Sequence, residues 1–303
     1  MTVILSVFVS DILPIFLIAA VGYLLASRLQ ASVKTLSHVV FYALIPCFVF
    51  RLLTTSKISG PEAGRMALLA ILVMLVMGLL ARLACIPLQL NRSDLSGFLL
   101  VVMFSNGGNY GLPVVLFAFG NAAMAHATVY FVTSSLLTYT VGVFLAAAGR
   151  RSVSRALLGI TRIPAIYGVA AAMLVITTGA TVPVSLMRPV ELLADAAIPI
   201  MILVLGMQLE RATTPERLPA VAIAVALSLV AAPFVALALT WMLGVSGTAR
   251  QAAVVLASMP TAVITTILAL EFDVAPGFVT NVVFLTTVLS PLTLAPLIAF
   301  LQM

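Results

Sequence analysis

The sequence is poor in charged residues. Lys and Arg number 15 and Asp and Glu number 9, together 8% of 303 residues, against about 25% in an ordinary soluble domain. Because 63% of the residues are hydrophobic and the mean hydropathy is +1.26, the chain lacks the polar atoms needed to cover a globule of this size. This composition excludes a cytosolic enzyme and a disordered tail, and it predicts that a lipid bilayer surrounds most of the chain.

Motifs that carry chemistry are also scarce. The two cysteines, Cys47 and Cys85, lie inside apolar segments without metal-ligand spacing, which predicts packing residues rather than a disulfide or a metal site. The sequence has no GxGxxG, Walker lysine, CxxC or HExxH motif, so we expect neither an enzyme nor a cofactor. The net charge of +6 comes from basic residues that stand singly or in pairs, the pattern of loop anchors rather than of a nucleic-acid surface.

Long apolar segments alternate with short charged stretches. Since about 20 helical residues cross a bilayer core, the segments predict an all-α polytopic membrane protein with ten transmembrane helices and no extramembrane domain. The N-terminal segment has no basic residues before it and is too long for a cleaved signal, so it is interpreted as the first span. The predicted spans are at about 5–26, 36–53, 66–88, 95–120, 124–148, 163–180, 189–207, 218–243, 251–270 and 277–301.

The basic residues are distributed unequally between the two sides of these spans. The loops on one side carry ten Lys and Arg and those on the other carry five, so the positive-inside rule places the first side in the cytoplasm and both termini outside. The expected location is the cell (cytoplasmic) membrane. The longest basic loop, 149–162, is then cytoplasmic, and its four arginines are interpreted as solvated anchors in preference to a partner site.

The two halves of the chain resemble each other at an offset of 153 residues. Pro46 then aligns with Pro199, and Ser105 aligns with Ser258. The halves, residues 1–148 and 163–303, each contain five predicted spans. Because five is odd, the second half must enter the membrane from the opposite side, so the sequence predicts two inverted five-helix repeats, a recurrent plan of secondary transporters.

The fourth span contains the segment SNGGNYGLP at 105–113. Glycine costs about 1 kcal/mol and proline about 3 kcal/mol in a helix interior, so a continuous helix is not expected there. The alternative is a GxxxG packing motif formed by Gly107 and Gly111, but that motif requires neither the asparagines nor the proline. We therefore predict a discontinuous helix, with Gly107, Gly108 and Gly111 at the break. Pro46 and Pro199 are further candidate hinge positions.

A second break is predicted at Ser258-Met259-Pro260-Thr261-Ala262 in the ninth span, which would cross the first break. Pro113 and Pro260 each stand where the first residue of a new half-helix is expected. The free N–H groups and the positive dipole ends of two half-helices would suit a carboxylate at the membrane midplane. The candidate substrate-binding residues are Asn106, Asn109, Tyr110, Pro113, Ser258, Pro260 and Thr261.

A few charged residues lie inside predicted spans. Asp195 lies in span seven, four residues before Pro199, and it is either a coupling or gating residue or a water-facing residue at the mouth of the site. Asp11, Arg51 and His38 are nearer the ends of their spans, where we expect them to extend toward water. Arg51 is of added interest because a cation near the outer mouth would attract an anion.

Three segments resemble one known family. SNGGNYGLPV at 105–114, ALIP at 43–46 and AAIPIMILVLGMQL at 196–209 are similar to the auxin efflux carrier family, whose bacterial members include malonate and malate permeases. The resemblance implies a fold like that of the bile acid sodium symporters, with a scaffold domain, a transport (core) domain, crossed helices four and nine, and elevator-type alternating access. It also implies substrate contacts for Asn106, Asn109 and Pro113, with Pro260 opposite.

The resulting prediction is a secondary transporter for a small organic anion, with the lipid bilayer as its other partner, no bound metal and no nucleic acid. Within transport, the alternative is a sodium-coupled symporter, although ASMPTAVITTI at 257–267 lacks the acidic residue that the bile acid symporters use for sodium. From other classes, a membrane-embedded enzyme lacks a catalytic set and a membrane sensor lacks an output domain. The choice of anion, the direction of transport and a homodimeric state are left open.

Overall fold

The computed structural model describes residues 2–55, 58–147, 164–210 and 217–303. The predicted basic loop at 149–162 lies outside the described residues. Within the described ranges the chain forms eleven helices and one isolated antiparallel bridge. The helices are α1 (Val3–Leu29), α2 (Val33–Thr55), α3 (Gly60–Ala84), α4 (Arg92–Met103), α5 (Gly107–Ala146), α6 (Pro164–Thr178), α7 (Val184–Leu209), α8 (Leu218–Met242), α9 (Gly247–Ala257), α10 (Ile264–Phe272) and α11 (Pro276–Gln302).

Seven helices, α1, α2, α3, α5, α7, α8 and α11, are long and apolar enough to cross a membrane, and α6 is a shorter apolar helix. Large apolar side chains such as Leu192, Phe234, Trp241 and Leu292 are exposed on their outer surfaces. Because water would penalise so many exposed apolar side chains, these surfaces fit lipid contact. The described part of the chain is therefore helical throughout its regular structure, with the long apolar helices of a multi-pass membrane protein.

Helix α5 has 40 residues, about twice the number needed to cross a bilayer core. Gly120 interrupts it with a positive φ of 68° and a ψ of −167°, a conformation that glycine adopts at little cost because it has no Cβ. The interruption separates a first part at 107–119 from a second part at 121–146. It coincides with the boundary predicted between the fourth and fifth apolar segments.

Five turns within the described helices are wound wider than an α-helix. The one at Thr138–Gly142 has no proline shortly after it, whereas the other four each stand shortly before a proline. A proline ring clashes with the carbonyl group four residues earlier and leaves it without its N–H partner. In all four cases that carbonyl belongs to the central residue of the wide turn, so the widening relieves the clash. These four turns are Phe8–Ile12 before Pro14, Val40–Leu44 before Pro46, Gly107–Gly111 before Pro113 and Leu227–Ala231 before Pro233.

The helices pack in two groups. In the first, α1 packs against α7, and α2 packs against α6 and α7. Gly22 and Gly206 allow the close approach of α1 and α7, because a Cβ on either would collide with the backbone of the other helix. The second group contains α3, α4, α5, α8, α9, α10 and α11, and it meets the first where α5 and α11 contact α1 and where α5 contacts α2 and α7.

Asp11 does not extend toward water as the sequence suggested. Its side chain is buried, with 7% of its surface exposed. One carboxylate oxygen accepts a 2.6 Å hydrogen bond from Ser10 Oγ, and the other accepts from Gln302 Nε2 at 3.3 Å. The expectation was wrong because α11 brings Gln302 against α1 and supplies a polar partner inside the protein, which lowers the cost of burial.

Candidate functional site

The chain crosses itself at two interrupted helices. Residues 104–106 separate α4 from α5, residues 258–263 separate α9 from α10, and the two connections pair at the Ser105–Thr261 bridge. The backbone N–H of Asn106 donates to the Pro260 carbonyl at 2.7 Å, and that of Ala262 donates to the Phe104 carbonyl at 2.8 Å. Backbone groups released by a helix break need partners in a membrane, and here each break supplies partners for the other.

Hydroxyl groups complete the crossing. Ser105 Oγ donates to the Leu256 carbonyl at 2.9 Å, and Thr261 Oγ1 donates to the Val101 carbonyl at 2.7 Å. The N–H of Thr261 donates to Thr286 Oγ1 on α11 at 3.2 Å. The two side-chain bonds satisfy carbonyl groups in the last turns of α4 and α9, which have no N–H partner within their own helices. The side chains of Ser105 and Thr261 therefore hold the crossing together.

The two prolines stand differently with respect to the new half-helices. Helix α5 opens with the wide turn Gly107–Gly111, which the ring of Pro113 favours, and Pro113 lies in the first turn of the regular α-helical part that follows, Leu112–Leu137. Helix α10 begins at Ile264, after Pro260, so the expectation that a proline starts the half-helix is wrong for Pro260. Pro260 lies in the connection between α9 and α10, where its carbonyl accepts from the Asn106 N–H.

Asn106 carries an unpaired donor at the crossing. Its side chain is 6% exposed, and the amide nitrogen Nδ2 is buried without a hydrogen-bond partner among the described residues. A buried amide without a partner costs about 1 to 3 kcal/mol. Asn106 also directly precedes the first turn of α5. The N–H of Gly107 donates to the Ser105 carbonyl and that of Gly111 to the Asn106 carbonyl, both at 2.9 Å, whereas the N–H groups of residues 108–110 have no acceptors within the helix. The site thus presents several donors and a positive dipole end in one place.

The other predicted residues differ in what they offer. Asn109 is partly exposed on the first turn of α5, whereas Tyr110 is fully buried, 3.1 Å from Ser290 Oγ and edge-on to Phe16. Ser258 Oγ donates to the Val254 carbonyl within its own helix at 2.6 Å. Gly111 allows close packing on α9, since a Cβ there would lie 2.5 Å from a Leu256 methyl. The structure thus brings these residues together around one crossing.

A cavity of about 1020 Å³ lies beside the crossing, between the two helix groups. Helices α2 and α7 line one side, and α5 around its Gly120 break lines the other. Asp195 and Pro199 are in this lining, and so is Leu116, three residues after Pro113. The crossing residues themselves, from Asn106 to Pro113 and from Ser258 to Thr261, are not part of it.

Sequence reasoning did not predict how the cavity's charged groups are arranged. Arg51 on α2 forms an ion pair with Asp195 on α7. Glu62 and His126 line the same cavity, and His126 Nδ1 is buried without a partner in the part of the chain that the structure describes. The only available signal was the rarity of charge inside apolar segments, which singled out Arg51 and Asp195 individually. Nothing in the sequence pairs two residues that are 144 positions apart.

A multi-pass helical protein with two interrupted, crossing helices has the architecture of a membrane transporter. The chain belongs to the membrane transport protein family, whose model matches residues 7–155 and 150–298. It is 25% identical over 297 residues to an uncharacterized transporter of Methanocaldococcus jannaschii, covering 94% of this chain and 96% of the relative. It is 24% identical over 293 residues to one of Methanothermobacter thermautotrophicus, covering 93% and 95%. The resemblance to the auxin efflux carrier family is confirmed at this level.

Proposed function

We propose that the protein is a carrier for a small organic anion and that the crossing of the interrupted helices binds the anion. The observation that carries the proposal is the buried Nδ2 of Asn106, which has no partner within the described ranges. A carboxylate oxygen would accept from this amide and from the N–H groups of residues 108–110 in the first turn of α5, and the helix dipole would favour its negative charge. No arginine or lysine is needed at that depth, and burying one would be costly.

Helix pairing supports the ten-span plan with inverted repeats. In this plan α4 with the first part of α5 forms span four, the rest of α5 forms span five, α9 with α10 forms span nine, and α11 forms span ten. Two repeats of five require that the pairing of spans one and seven recurs between spans six and two. Both pairings occur, as α1 with α7 and as α6 with α2.

The same ten-span plan predicts the side of the membrane to which the cavity opens. Its outer lining comes from the connection between α2 and α3, the Gly120 break and the first half of α7. These parts lie on the side that carries fewer basic residues, which the positive-inside rule assigns to the exterior. We take the conformation as one with an outward-facing cavity, and the termini as external.

The two helix groups correspond to the scaffold and transport domains of an elevator-type mechanism. The first group, α1, α2, α6 and α7, would stay fixed while the second carries the crossing. The boundary between them contains few polar contacts among the described residues, including Gln302 Nε2 to Asp11 Oδ2. A mostly apolar boundary suits sliding, because few hydrogen bonds must break.

Transport in reconstituted vesicles tests this function. Liposomes that contain the purified protein are supplied with labelled malonate, malate, acetate or phenylacetate, and uptake, exchange and efflux are compared with those of protein-free vesicles. We expect flux of at least one carboxylate, and its loss in Asn106→Ala. If no carboxylate moves in the wild type, the organic-anion assignment is wrong.

A further inference from the structure

The cavity between the helix groups has a charged rim and apolar walls. Its polar lining includes Arg51 and Asp195, which lie near the predicted exterior, while Ile18, Phe48, Leu116 and Ile202 supply apolar surface. A cavity of about 1020 Å³ is at the upper end of the volumes typical of small-molecule sites, about 300 to 1,000 Å³. It is therefore large enough to receive a ligand before the ligand reaches the crossing.

Among the described residues that line the cavity, Arg51 is the one Lys or Arg. Its carboxylate partner, Asp195, has 68% of its side chain exposed, against 25% for Arg51. An ion pair with one well-solvated member contributes little net stability, because water competes for both charges. Asp195 can therefore separate from the Arg51 guanidinium at little cost, because water already solvates its carboxylate.

The guanidinium has donors to spare. Its hydrogen bonds to Asp195 Oδ1 and to the Glu191 carbonyl both come from Nη1, so Nε and Nη2 keep their hydrogens free among the described residues. Arginine binds carboxylates best through two parallel N–H groups. A ligand carboxylate that used this fork would make a better match than the single contact of Asp195.

The other carboxylate of the cavity is already engaged. Glu62 Oε2 accepts from the Ser59 N–H at 3.0 Å and from Ser59 Oγ at 2.8 Å, in the cap that starts α3. Glu62 is thus fixed in place by its own helix end, which leaves Asp195 as the internal competitor for Arg51.

We propose that Arg51 is a docking site for a carboxylate with an apolar body, separate from the crossing, and that Asp195 occupies the guanidinium until such a ligand displaces it. The apolar walls contact the body of the ligand. Leu116, in the same lining, lies three residues after Pro113 on α5 and so marks the part of the cavity nearest the crossing. The inference rests on the proposed function only for the step after docking, which is the transfer of the anion to Asn106.

The first test needs no knowledge of the natural ligand. Asn121, an exposed residue of the same cavity, is changed to Cys after both native cysteines are replaced by Ala. The modification rates of this reporter by anionic sulfonatoethyl methanethiosulfonate and by a neutral methanethiosulfonate are then compared. We expect Arg51→Gln to slow the anionic reagent and Asp195→Asn to accelerate it. Each change should be at most about fivefold, the factor for one unit charge about 4 Å away in water, and smaller at greater distance.

The control is Arg188→Gln, which removes an exposed arginine of α7 that does not line the cavity. It should leave both rates unchanged, and the neutral reagent should be indifferent to every variant. Unchanged anionic rates in Arg51→Gln and Asp195→Asn would overturn the proposal.

Protection experiments separate docking from simple attraction. Phenylacetate should slow modification of the reporter, whereas the uncharged phenylacetamide should not. Protection should vanish in Arg51→Gln, weaken in Arg51→Lys, which keeps the charge but loses the fork, and strengthen in Asp195→Asn. Equal protection by the amide, or protection that survives Arg51→Gln, would contradict docking at Arg51.

The same variants distinguish this inference from the proposed function. In Asn106→Ala, protection by phenylacetate should persist while transport is lost. Protection without transport of any carboxylate in the wild type would leave docking intact and remove the organic-anion assignment. Carboxylate transport that depends on Asn106, without protection of the reporter by phenylacetate, would support the proposed function and exclude docking at Arg51.

Discussion

The backbone N–H of Asn106 donates to the carbonyl oxygen of Pro260 at 2.7 Å, which joins two helix breaks that are far apart in the sequence. This bond occupies the main-chain donor of Asn106, while its side-chain Nδ2 is buried and unpaired within the described residues. One residue thus closes the crossing with its backbone and presents a donor with its side chain. The proposed mechanism requires both roles, since the backbone bond fixes the crossing and the side-chain amide binds the anion.

The hydroxyl of Thr261 should be required for stability. Thr261→Val removes its 2.7 Å hydrogen bond to the Val101 carbonyl, which then keeps only a 3.5 Å contact with Ser228 Oγ. The free energy of unfolding should fall by about 0.5 to 1.5 kcal/mol, the net contribution of one hydrogen bond. The matched control is Thr266→Val, since Thr266 Oγ1 is buried without a partner in the described ranges and should be replaceable at no cost. Thermal melting in detergent measures both. Equal melting temperatures for the two variants would contradict the assignment.

Pro113 should affect binding through the wide turn that precedes it. In Pro113→Ala an N–H is restored and the ring clash disappears, so the turn Gly107–Gly111 is expected to tighten and redirect its amide groups. Anion affinity should fall by roughly two- to thirtyfold, corresponding to about 0.3 to 2 kcal/mol for an anion at a helix N-terminus.

The control for Pro113 is Pro46→Ala, which alters the same kind of wide turn in α2, within the other helix group. Titration of the transported carboxylate into each purified variant measures affinity. A loss in Pro46→Ala as large as that in Pro113→Ala would show that the effect is general and not a property of the site.

Both termini should be external. Ser152→Cys lies in the basic loop assigned to the cytoplasm, and Thr248→Cys lies at the start of α9, assigned to the exterior. In intact cells an impermeant thiol reagent should label residue 248 and spare residue 152, since the side richer in basic residues stays inside. Labelling in the reverse pattern would invert the topology.

Transport should not require sodium. The connection that holds Pro260, at 257–267, has no acidic residue, so it offers no carboxylate to bind the cation. Replacing sodium with potassium in the vesicle buffer is expected to leave the flux unchanged. A strong stimulation by sodium would favour the symporter alternative.

The sequence predicted the features that depend on local preference. The Gly-rich and Pro-containing segments at 105–113 and 258–262 disfavour helix wherever they occur, so the breaks were expected, and the structure interrupts the helices there. Sequence reasoning failed where partners come from distant elements. Asp11 looked like a residue near water until α11 placed Gln302 beside it, and the pairing of Arg51 with Asp195 depends on how α2 packs on α7.

The most direct test is the affinity of the asparagine variants for the carboxylate that the wild type transports best. Asn106→Ala and Asn109→Ala are compared by calorimetric titration with Ser258→Ala, whose hydroxyl bonds within its own helix. Binding at the crossing predicts that each asparagine variant binds roughly five- to a hundredfold more weakly, corresponding to about 1 to 3 kcal/mol, while Ser258→Ala binds like the wild type. Wild-type affinity in both asparagine variants would place the substrate elsewhere and contradict the mechanism.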